Sequence, residues 1–113
     1  MTEFEAMLLS AAIEGTVAFL LVSIMHWPCR GPTHAALAAM LATAVTHPQF
    51  WAATLWLTPR LDYWSAIGIG EAVVIIVEAP IIAWAAGLAP ARAIITSIIT
   101  NSTSAAVGIL LLV

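Results

Sequence analysis

The sequence predicts an all-α fold: an integral membrane four-helix bundle made of two tandem helical hairpins. Three observations predict it. Hydrophobic residues make up 63% of the 113-residue chain and charged residues 8%, with a mean hydropathy of +1.07. A soluble domain carries about a quarter charged residues to cover its surface. The apolar sequence falls into stretches of the length a helix needs to cross a hydrocarbon core, ~20 residues. Short turn-forming segments divide those stretches: Trp27-Pro28, Thr58-Pro59-Arg60 and Gly87-Leu88-Ala89-Pro90. Residues 1–113 therefore read as a single transmembrane domain with spans at about 5–26, 34–57, 63–87 and 90–113.

The first span follows an acidic start, Met1-Thr2-Glu3-Phe4-Glu5, and contains Glu14. A cleaved leader has a positive start and an uninterrupted apolar run, so this span reads as a retained helix. It ends at Trp27-Pro28, an interfacial aromatic followed by a helix stop. The second span holds Thr46-His47-Pro48 and stops at Pro59. The third opens on Tyr63-Trp64 and closes at Gly87. The fourth opens on Pro90, which suits a first helical turn because its missing N–H has no partner there. Trp27, Trp56 and Trp64 read as interface anchors, with Trp51 and Trp84 deeper.

The net charge of −3 comes from three arginines, no lysine, five glutamates and one aspartate. No basic cluster could hold nucleic acid, so the partners expected are the lipid bilayer and either a second copy or other membrane subunits. Arg30 and Arg92 fall in the first and third loops, and Arg60 in the second. Counting basic residues puts loops one and three in the cytoplasm and both termini outside, in a bacterial inner membrane. Cys29 is the lone cysteine and cannot form an internal disulfide. It stands between His26 and His34, but these are too few ligands for a closed zinc site, so the segment reads as a turn.

The two halves repeat. Glu14-Gly15-Thr16-Val17 and Thr46-His47-Pro48 in the first match Glu71-Ala72-Val73-Val74 and Thr100-Asn101-Ser102 in the second. A two-helix repeat returns the chain to its starting side, so the halves are related by a parallel pseudo-two-fold along the membrane normal. The repeat places Glu14 and Glu71 at one depth, with His47 and Asn101 beside them on the returning helices. Glu78 follows Glu71 by nearly two turns on the same helix face.

A charged side chain at mid-bilayer costs at least ~2.5–3.5 kcal/mol on insertion scales. Glu14, His47, Glu71, Glu78 and Asn101 are therefore expected to meet in a polar intramembrane site, paired or protonated. The alternative is that they serve as inter-helix hydrogen-bonding glue. Pro48 and Pro80 are expected to break their helices, freeing the carbonyls of Ala44 and Ile76 as extra acceptors. A simple proline kink is the plainer reading. Carboxylates with an imidazole suit a proton relay or a divalent metal cation, with His47, Glu71 and Glu78 as candidate ligands. The small residues of the second and fourth spans read as packing surfaces.

Catalytic residues are not expected. The chain lacks a phosphate-binding G-x-x-x-x-G-K motif, the H-E-x-x-H of zinc proteases and the G-x-S-x-G of serine hydrolases. The early Glu14, the run Thr46-His47-Pro48-Gln49-Phe50-Trp51, the Glu71-x6-Glu78 helix and the closing Ser97-x3-Asn101-x2-Ser104 together resemble an uncharacterised family of small four-span bacterial integral membrane proteins. The resemblance covers most of the chain through a handful of positions. It implies the topology and the choice of polar residues, and supplies no activity. Two functions follow as expectations: a carrier or channel subunit that handles protons or a metal cation, or an accessory subunit packed within a larger membrane complex. An intramembrane enzyme using His47 and a glutamate ranks behind both.

Overall fold

The computed structural model describes residues 2–112. Its four helices are α1 (Glu3–Met25), α2 (Pro32–Leu57), α3 (Tyr63–Ala86) and α4 (Pro90–Leu112). Each described helix boundary lies within two residues of its expected span, and the expected end of the fourth span, Val113, lies outside the described residues. Among the described residues there is no strand. α1, α3 and α4 are long and apolar enough to cross a membrane. α2 is the longest at 26 residues but less apolar, because alanine, threonine, His47, Pro48 and Gln49 replace larger aliphatic residues.

Local chemistry sets the helix ends. Thr2 and Glu5 form a reciprocal capping box at the start of α1. Asp62 caps α3 by accepting from the Ser65 N–H at 3.2 Å. Gly87 ends α3 at φ 71°, a left-handed conformation that glycine adopts without steric cost. His26 ends α1 at φ 53° without that freedom.

The helices pack in cyclic order, α1 against α2, α2 against α3, α3 against α4 and α4 back against α1. This is the arrangement that two facing hairpins related by a pseudo-two-fold require. The bundle measures 43 × 23 × 19 Å.

Its interior is small and polar while its outside is large and apolar. Ala18, Ala35, Ala39, Ala66, Ala93 and Ser97 are completely buried, whereas Ile76, Trp84 and Leu110 are each more than 70% exposed. Water would reverse this order; lipid favours it, because small residues let helices approach and large aliphatic ones cost nothing outside. The helix faces and composition together place the chain in a membrane.

The proline expectation needs correction. α2 runs without interruption through Pro48, and α3 through Pro80. Each proline removes one hydrogen bond from the ladder, and packing on neighbouring helices holds the remainder in place. Trp84 also lies closer to a helix end than expected, two residues before Ala86.

The two ends of the bundle differ. Where α1 and α3 end, Val22, Ala38, Ile82, Ala86, Leu88 and Ala93 belong to a continuous core, packed by Trp27 and Cys29. The first loop seals it: the Arg30 N–H donates to the Ala86 carbonyl at 2.8 Å, and its guanidinium to those of Trp84 and Ala85 at 2.5 and 2.9 Å. A cation on the last carbonyls of a helix also opposes the negative end of its dipole. The opposite end, where α1 and α3 begin, is hollow.

Candidate functional site

The hollow half is a cavity of about 660 Å³ that all four helices line. It runs from Tyr63 and Leu55, near the second loop, down to Glu14, Thr43 and Glu78 at mid-bundle. All five polar residues expected to form the site, Glu14, His47, Glu71, Glu78 and Asn101, lie on its wall. They meet in a different pairing from the one the repeat implies.

Glu78 is the most completely held. It is 1% exposed. Its Oε1 accepts from Asn101 Nδ2 at 3.0 Å, and its Oε2 is bonded to the Thr46 hydroxyl. Asn101 donates further to the Ser97 carbonyl at 2.9 Å, and Ser97 donates to the Ile75 carbonyl at 3.1 Å. One network thereby ties α2, α3 and α4. Thr46 also faces the Ala42 carbonyl at 2.9 Å. A threonine hydroxyl has one hydrogen. It satisfies both neighbours when its hydrogen goes to Ala42 and a protonated Glu78 donates to its oxygen. The network thus has a place for a proton.

Glu14 is 3% exposed, lies beside Thr43 and Glu78, and its Oε1 has no hydrogen-bond partner. Glu71 Oε2 and Thr54 Oγ1 are likewise buried without partners. An unsatisfied buried polar group costs ~1–3 kcal/mol, and more when charged. Among the described residues no arginine reaches these glutamates. Arg30 is engaged at the sealed end, the Arg60 guanidinium covers the Trp56 ring at 4.1 Å, and that of Arg92 lies 5.8 Å from the Trp27 ring.

His47 has turned elsewhere. Its Nδ1 lies 3.2 Å from Glu3 Oε1, near the start of α1, and its ring centroid lies 6.3 Å from that of Phe50 and 6.0 Å from that of Trp51. Glu3 is a participant that sequence reasoning left on the surface, because a glutamate in the first turn of a helix favours the positive end of its dipole.

The shared depth of Glu14 and Glu71 is also corrected. A Cβ on Gly15 would meet Met40 at 2.8 Å, and one on Gly70 would meet Phe50 at 2.7 Å. These close approaches place α2 residues ten apart level with residue 15 of α1 and residue 70 of α3. Glu71 is therefore displaced from Glu14 along the bundle by on the order of 10 Å, while Glu78 comes level with it. Asn101 has a different counterpart too. Pro90 opens α4 eleven residues before Asn101, and Pro32 opens α2 eleven residues before Thr43. Thr43 beside Glu14 thus mirrors Asn101 beside Glu78. It reads in sequence as one more small packing residue.

Among the described residues no three His, Cys, Asp or Glu side chains converge to hold an ion. Of the expected ligands, Glu78 is bonded to Thr46 and Asn101, His47 faces Glu3 through Nδ1 alone, and Glu71 retains an unpartnered oxygen.

No family model, curated protein or solved structure matches the chain.

Proposed function

We propose that this protein is a small membrane carrier or channel subunit that handles protons, working from the bacterial inner membrane with the hollow end outside. The observation that carries this reading is the set of three glutamates on one cavity wall with no arginine paired to any of them, two retaining an unpaired oxygen. Such residues are expensive in a membrane and mark ion pathways when they line a cavity. The hydrogen-bond arithmetic at Thr46 supplies a resting place for a proton on Glu78. Access from one end with a packed core at the other is the form of a carrier in one of its two states.

The test is proton flux into proteoliposomes holding a pH-sensitive dye, under an imposed potassium diffusion potential. Wild-type vesicles acidify faster than empty ones, and Glu14→Gln and Glu71→Gln reduce the rate at least tenfold while circular dichroism keeps the helical content. Wild-type vesicles no faster than empty ones would remove the proposal.

A second reading draws on Glu78. Both its oxygens are bonded to neighbouring helices, which is what inter-helix glue does. In that reading the chain is an accessory subunit of a larger complex, and its cavity receives a side chain of a neighbour.

A further inference from the structure

The cavity is far larger than a proton requires. At about 660 Å³ it falls within the ~300–1,000 Å³ typical of small-molecule sites. Its ionisable groups are the three carboxylates, the Tyr63 phenol and one imidazole, which faces Glu3; the other polar groups are neutral. Glu14 is 97% buried, lines the cavity and has an unpartnered Oε1. Glu71 repeats the feature nearer the mouth. Once ionised, these carboxylates would repel an anion. A divalent metal lacks a convergent set of ligands among the described residues. What the wall lacks is a positive charge brought from outside.

The remaining lining says what should carry that charge. Phe50, Trp51 and Tyr63 supply aromatic rings from α2 and α3, with Leu9, Ile13 and Ile67 between them. Aromatic faces attract alkylammonium groups, and the attraction grows where water is excluded. Aromatic and aliphatic walls also bury an apolar body, while a few polar groups fix its orientation. From these observations we propose that the cavity binds a monovalent organic cation, a protonated or quaternary amine with an aromatic or alkyl body. Its charge faces Glu14 and Glu71, and its body lies among Phe50, Trp51 and Tyr63. The inference rests on the proton-handling reading, because the glutamates that hold the cation are those that hold protons in its absence. Cation and proton then compete, and binding weakens as pH falls.

The probe is benzyltrimethylammonium, whose charge does not titrate, against its uncharged carbon isostere. Binding to the detergent-solubilised full chain is followed by calorimetry and by tryptophan fluorescence. The cation binds and the isostere binds at least tenfold more weakly. Glu14→Gln weakens the cation at least tenfold, and lowering the pH from 8 to 5 weakens it in the wild type. Trp51→Leu weakens the cation several-fold and leaves the thermal midpoint of the unliganded protein unchanged. It serves as the second variant should Glu14→Gln fold poorly. Equal affinity for the two probes, or no cation binding in the wild type, overturns the inference. So does unaltered affinity in both variants. Proton flux in vesicles is measured separately. Flux that depends on Glu71 without cation binding sinks this inference alone, and absence of both sinks the proton reading with it.

Discussion

At the scale of single residues, Glu78 shows how one carboxylic acid can be both expensive and stabilising. It is fully buried, yet each oxygen has a partner, so the cost of desolvation is met by bonds to α2 and α4. Glutamine is nearly isosteric and keeps one donor and one acceptor. Its carbonyl can take the Asn101 N–H, and its amide can donate to Thr46. We expect Glu78→Gln to change unfolding stability by less than ~1 kcal/mol, and Glu78→Ala to cost ~1–3 kcal/mol by orphaning Asn101 and Thr46. Denaturant unfolding in detergent checks this. If glutamine destabilised as much as alanine, the charge rather than the hydrogen bonding of Glu78 would be what holds the helices. Glu14 and Glu71 differ from Glu78 in their unpaired oxygens, so they are placed to meet something that the fold does not supply.

At the scale of helices, local chemistry explains where each one starts and stops. α1, α2 and α3 show no apolar stripe, because a helix in lipid is apolar on its outer face and built of small residues on its inner one. Caps and prolines then decide where each helix begins, while contacts between helices decide which residues come level. Asp62 is the clearest case. Ser65, through its side chain first and its backbone N–H second, holds the Asp62 carboxyl below the usual aspartate range. The folded state therefore binds this proton less readily than the unfolded one. The cap's contribution is present in full above about pH 5 and is lost as pH falls below about 4, through the unfolded value and then the lower folded one. Asp62→Asn keeps the cap bond but not that pH response, and Asp62→Ala loses both. Thermal midpoints of the three proteins between pH 3 and 6 should converge at the acid end for wild type and alanine, with asparagine flat. A wild-type profile parallel to that of asparagine would contradict the assignment.

At the scale of the whole molecule, the asymmetry between a sealed and a hollow end is the central fact. Arg30 and Arg92 lie at the sealed end and Arg60 at the other. We expect the sealed end in the cytoplasm, as the excess of arginine directs. Cys29 is half-buried against the core at that end. A membrane-impermeant maleimide should therefore miss it in intact cells and reach it slowly after lysis. A Leu61→Cys, Cys29→Ser variant, with its thiol in the second loop, should label in intact cells. The reverse pattern would turn the molecule over and put the cavity mouth in the cytoplasm.

Composition and spacing alone determined that the chain is a membrane four-helix bundle, because the cost of charge and of unpaired backbone in lipid leaves few other ways to arrange such a sequence. Helix bounds were equally legible, since Trp27-Pro28, Tyr63-Trp64, Gly87 and Pro90 act locally, whereas the Asp62 cap emerged only in the structure. The five ionisable or amide residues singled out in the spans all line the cavity, because such groups are costly against lipid. Pairing within that wall was decided only by tertiary structure. Thr43 and Ser97 look like packing residues, and Thr46 like one position of the repeat, until a neighbouring helix brings a carboxylate or carbonyl to them. The partner of His47 proved to be Glu3, and the level of Glu14 proved to be that of Glu78. Both follow from how far α2 slides along α1 and α3. That distance is set by close contacts such as Met40 on Gly15 and Phe50 on Gly70, which no periodicity within a single helix encodes.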